Sequence, residues 1–141
     1  MLRMPLLLSL VPLMLGVHPC LGVQGALDSP EAAVRTYIDG LKRGDLSAVR
    51  RAYNLAVVGS DFHLSGPLPI ESYRITKKLG LDSVAAARHN EKGIVPAARV
   101  ADVELQVEEM IEGKREMFSY WLRVFDGQWR IYAHTGWGGP D

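Results

Sequence analysis

The C-terminal third of the chain alternates between apolar and polar positions. Ala101, Val103, Leu105 and Val107 interleave with Asp102, Glu104, Gln106 and Glu108, the period-two pattern of a strand with one face on a core. Glu112-Gly113-Lys114 is a turn, and Glu116 to Phe125 forms the next strand. Asp126-Gly127 is a two-residue hairpin signal. Gln128 to Trp137 is the last strand, and Gly138-Gly139-Pro140 closes the fold. Upstream, Ser72 to Leu79 alternates in the same way and predicts a further strand, while Gly59 to Pro69 reads as a loop with two glycines and two prolines.

Earlier still, the period becomes helical. Val34, Tyr37, Ile38 and Leu41 fall on one helical face. Ser29 caps this helix, Pro30 takes its first position, and Gly44 stops it. Asp45 then caps a second helix with the stripe Leu46, Val49, Ala52, Tyr53 and Ala56. Between Leu81 and Gly93, Val84-Ala85-Ala86-Ala87 fits a helical turn or a short strand equally well.

Register follows from the Asp126-Gly127 turn. Phe125 faces Gln128, Val124 faces Trp129, Leu122 faces Ile131, and Tyr120 is expected to face Ala133. One face then carries Phe118, Tyr120, Leu122, Val124, Trp129, Ile131, Ala133 and Thr135, which the two helices cover. The other carries Trp121, Arg123, Phe125, Arg130, Tyr132 and His134. Arg123 lies opposite Arg130, a like-charge pairing that calls for a carboxylate from Asp102 or Glu104.

Composition fits one globular domain. Of 141 residues 23% are charged and the formal net charge is zero, with no basic excess of the kind nucleic acid demands. The start of the chain departs from this balance. Arg3 precedes the apolar run Met4 to Val17, followed by small residues at Gly22 and Gly25. The run is shorter than the roughly 20 residues of a spanning helix, and the order matches a secretory signal. The expectation is a signal peptide at 1–25, removed to leave a periplasmic or secreted domain at 26–141 with no membrane attachment. Cys20, the single cysteine, goes with the signal, so thiolate chemistry and disulfides are absent from the expected domain.

Two capped helices joined at Gly44-Asp45, a loop, and an antiparallel meander ending Asp126-Gly127-Gln128-Trp129-Arg130-Ile131 resemble the nuclear transport factor 2-like superfamily over essentially the whole expected domain. The resemblance implies an α+β fold, with an N-terminal helical pair packed on a strongly curved, cone-shaped antiparallel sheet. It also implies a pocket between sheet and helices, frequent dimers through the outer face, and an inward role for Trp129. Such folds serve isomerases, dehydratases and non-catalytic domains alike, so fold alone does not select a function.

Candidate residues follow from the faces. Tyr53, Tyr73, Tyr120 and Thr135 are the expected pocket lining, with Asp61 and His63 approaching from the loop. Asp61, His63 and Tyr120 are the candidate catalytic set, a base and a hydrogen-bond donor. Inward tyrosines more often pack than react, and an Asp-x-His in a Gly/Pro loop is more often solvated. The leading expectation is therefore a non-catalytic exported domain that binds a small apolar ligand or assembles with itself or a partner. The alternative is a lyase or isomerase, dehydratase- or ketosteroid-isomerase-like, acting on a small cyclic or carbonyl substrate. Neither His89 nor His134 has a second ligand at metal spacing, so no metal and no cofactor are expected. Trp121, Arg123, Phe125, Arg130 and Tyr132 are the expected homodimer interface, since exposed apolar faces call for cover; the competing cover is the chain's own segment Leu81 to Pro96.

Overall fold

The computed structural model describes residues 26–55, 64–93 and 96–137. The expected signal peptide, Ala56, Asp61 and His63 lie outside them. The described fold is α+β: three helices and one four-stranded antiparallel sheet in the order β1-β2-β3-β4. No helix among the described residues is long and apolar enough to cross a membrane.

Helix α1 (Pro30–Arg43) begins where Ser29 Oγ accepts the Ala32 N–H at 3.1 Å, and ends at Gly44, whose φ of 69° is left-handed. A side chain at Gly44 would also meet Pro67 N at 2.9 Å, so this joint needs glycine on two counts. Asp45 caps α2 (Leu46–Ala52) through Oδ1 to the Ala48 N–H. At Gly40 the two helices close so tightly that an added Cβ would stand 3.0 Å from Val49. Helix α2 stops earlier than Ala56 because Tyr53 adopts extended backbone and bridges Ile131 in the sheet.

Strand β1 (Ile70–Gly80) is followed by α3 (Ser83–Glu91), which resolves the ambiguous stretch as a helix capped by Asp82. Strands β2 (Val103–Ile111), β3 (Lys114–Phe125) and β4 (Gln128–Trp137) complete the meander. The main core lies between α1, α2 and one sheet face, with Val34, Ile38, Val49, Leu105, Val107, Leu122 and Ile131 nearly inaccessible. Trp129 packs against this core but is only half-buried.

The expected β3–β4 register holds from the turn to Leu122↔Ile131 and then slips. Trp121 pairs with Ala133 and Tyr120 with His134, leaving Tyr132 as an extra residue on β4. A bulge inserts one residue and reverses the facing of everything beyond it. Ala133 therefore joins Trp121 on the outer face, and His134 turns to the core face beside Tyr120. The outward assignment of His134 and the inward assignments of Ala133 and Thr135 are corrected by this bulge.

The outer face is covered from within the chain. Leu81 ahead of α3, Ala86 on α3 and Ala98 in the segment 96–102 lie on Trp121, Tyr132 and Ala133, with Phe125 at the margin. Trp121 is 5% and Tyr132 0% exposed. Of the expected interface residues, Trp121 and Tyr132 are core residues of a second layer, while Arg123, Phe125 and Arg130 are half-buried. Arg123 is tied to Asp102 by Nε at 2.8 Å and Nη2 at 2.7 Å, and Arg130 donates to Gln128.

Candidate functional site

Between α1 and the core face of the sheet lies a cavity of about 370 Å³. Leu41, Ile70, Ile111 and Phe118 make it largely apolar, and Leu68 and Pro69 stand exposed at its rim. Four polar side chains enter it: Tyr37 from α1, Glu109 from β2, Tyr120 from β3 and His134 from β4.

Glu109 continues the inward series Val103, Leu105, Val107. It is 2% exposed, and Tyr120 Oη donates to its Oε1 at 2.6 Å. No cation pairs with it among the described residues. Burial raises its pKa above the ordinary carboxylate value, and the Tyr120 hydrogen bond offsets only part of that rise. Burial and the adjacent carboxylate push Tyr120 itself far above the usual phenol range.

His134 stands among three tyrosine rings. It stacks on Tyr120 at 5.6 Å, meets Tyr53 edge-on at 5.7 Å, and lies 6.0 Å from Tyr37. Its Nδ1 and Tyr53 Oη are 3.0 Å apart. The residue as a whole remains exposed, although three tyrosine rings crowd its imidazole. That crowding removes water and lowers its pKa, favouring neutral imidazole. Burial raises Tyr53 to about 12. Tyr120 thus joins the two halves of the site, hydrogen-bonded to Glu109 and stacked on His134.

The expected lining divides. Tyr120 is in the cavity and Tyr53 supports it through His134. Tyr73 lies elsewhere: its hydroxyl donates to Asp39 on α1 at 3.1 Å, and Lys42 sits 6.0 Å from its ring. Thr135 pairs with Ser119 and does not line the cavity. Asp61 and His63 lie outside the described residues. Glu109 was readable as an acidic residue in an otherwise apolar inward series. His134 was not, because its facing depends on the bulge.

Among the described residues no group of three or more His, Cys, Asp or Glu side chains is arranged to hold a metal ion. Compared with known proteins, the chain matches no family model, no curated sequence and no solved structure.

Proposed function

We propose that this cavity is an acid–base site of lyase or isomerase type for a small cyclic or carbonyl compound, on a fold of the nuclear transport factor 2-like kind. The observation that carries the reading is one apolar cavity holding a buried carboxyl group and an imidazole, linked by Tyr120. Apolar walls with a few convergent polar groups are the usual form of a small-molecule site, and oppositely perturbed titrating groups mark acid and base roles.

The roles follow from the shifts. In the tautomer that donates Nδ1–H to Tyr53 Oη, neutral His134 keeps its Nε2 lone pair for a proton taken from carbon next to a carbonyl. The C–H electron pair moves onto the carbonyl oxygen. Glu109, favoured in its protonated form, donates to that oxygen while Tyr120 holds its other oxygen. Returning the proton to a different carbon completes an isomerisation; loss of a β-leaving group completes an elimination. The reading includes export, supported by Arg3 and the apolar run Met4 to Val17. It includes no dimer through the outer aromatic face, whose rings the chain itself covers.

The second reading, a non-catalytic binder of a small apolar ligand, is favoured by the apolar majority of the lining. One experiment separates the two. Cyclohexanone is incubated with the protein in deuterated water, and α-proton exchange is followed by NMR alongside the ring resonances of His134 and Tyr120. The acid–base reading expects catalysed exchange that falls by about 100-fold or more in His134→Gln and Glu109→Gln. Saturable ring shifts without exchange would leave the binder; neither signal would remove both.

A further inference from the structure

A second cavity, of about 360 Å³, lies on the opposite side of the sheet beneath α3. It is separate from the acid–base site and shares no lining residue with it. Trp121 forms its apolar wall with Leu81 and Ala85, and His89, Arg88 and Lys92 enter it from α3 and its C-terminal cap. His89 is 5% exposed and meets Trp121 edge-on at 4.6 Å. Its Nε2 is buried and has no hydrogen-bond partner among the described residues.

The remaining polar groups divide by sign. The two carboxylates at the cavity already hold protein donors: Asp82 Oδ1 caps α3 through the Ala85 N–H, and Glu104 Oε1 accepts from Ser119 Oγ at 2.9 Å and from Gln106. Arg88 and Lys92 are exposed and form no ion pair among the described residues. The cavity therefore has an aromatic wall and two unengaged cations on the helix side, with an unpartnered imidazole nitrogen buried in its lining.

We infer that this cavity binds a planar aromatic carboxylate carrying a ring hydroxyl. The ring packs on Trp121 and the alanine face of α3. The carboxylate meets Arg88 and Lys92, away from Glu104. The hydroxyl satisfies His89 Nε2 whichever tautomer the imidazole holds, because a hydroxyl both donates and accepts. A buried polar atom gains from a hydrogen-bond partner, so the ring hydroxyl adds to affinity. The volume lies within the range of small-molecule pockets, about 300–1,000 Å³.

The test is an NMR titration of the protein with 4-hydroxybenzoate, benzoate and 4-hydroxybenzamide, reading the Trp121 indole N–H and the His89 ring. The acid with the hydroxyl is expected to saturate both signals, and each truncated probe to bind about three- to tenfold more weakly. The double variant Arg88→Gln/Lys92→Gln, on exposed positions, should erase the difference between acid and amide. His89→Phe should erase the difference between 4-hydroxybenzoate and benzoate. If His89→Phe does not fold, the double variant alone decides. The inference is overturned by no saturation up to about 10 mM, by equal binding of all three probes, or by shifts confined to Tyr120 and His134.

Discussion

The sheet buries one carboxylate on each side, and the two are treated in opposite ways. Asp102 and Glu109 are each 2% exposed, and each accepts a tyrosine hydroxyl, from Tyr132 at 2.8 Å and from Tyr120 at 2.6 Å. Asp102 in addition takes two guanidinium bonds from Arg123 and the Arg99 N–H at 2.8 Å. Arg123 donates onward to the Ala97 carbonyl and lies 4.7 Å from the Tyr132 ring. A charge so fully engaged fixes structure: it clasps residues 97–102 over the outer rings. Among the described residues Glu109 has one neutral donor and no cation, beside a cavity. A buried carboxylate left that poorly compensated is unfavourable for folding and suited to exchanging a proton. Ligation, rather than burial, distinguishes the structural acid from the one assigned to chemistry.

The largest expected effect tests the clasp. Asp102→Ala removes the acceptor for Arg123, Tyr132 and the Arg99 N–H together. Breaking a buried pair from one side costs about 3–5 kcal/mol. Urea denaturation should show that loss, while the ketone exchange proposed for the pocket, normalised to folded protein, stays near wild type. A loss below about 1 kcal/mol would make Asp102 no more structural than Glu109, and the contrast between the faces would disappear.

Trp121 and Trp129 sharpen the same contrast. Alternation made Trp129 an inward residue and Trp121 an exposed interface residue, yet Trp121 is buried under α3 and Trp129 is half-buried. Trp121→Ala is therefore expected to cost about 3–5 kcal/mol and Trp129→Ala roughly half that, both read by thermal or urea unfolding. The reverse order would mean that α3 does not pack on the outer face.

This pair also shows what the sequence could and could not convey. The caps at Ser29 and Asp45, the Gly44 joint, the meander and the Arg123–carboxylate pairing are local or follow from strict alternation, so they were legible. The cover of Trp121 was not, because Val84 to Ala87 is a weakly patterned helix whose partner lies far along the chain. His134 was hidden for a different reason. One extra residue, Tyr132, reverses its facing, and nothing in the alternation of β4 announces the bulge. Glu109 was the legible part of the site that went unread: an acid at the inward position following Val103, Leu105 and Val107.

The smallest expected effect is the most specific to Glu109. Its pKa in the folded protein is raised above the ordinary carboxylate value of 4.5, with burial the dominant cause. Between 4.5 and that higher value the folded state holds more protons than the unfolded chain. Stability therefore falls as pH rises through this window, and is fullest below it. Glu109→Gln keeps the size of the side chain and an acceptor for Tyr120, and removes the titration. It should match wild type near pH 4 and exceed it at neutral pH, as expected when a destabilised functional group is replaced. Urea unfolding at several pH values reads this directly, and the slope between pH 4 and 8 should be flatter in the variant. A variant less stable than wild type at neutral pH would mean that the charge of Glu109 supports the fold. It would then belong with Asp102, and proton exchange at this cavity would have to rest on His134 alone.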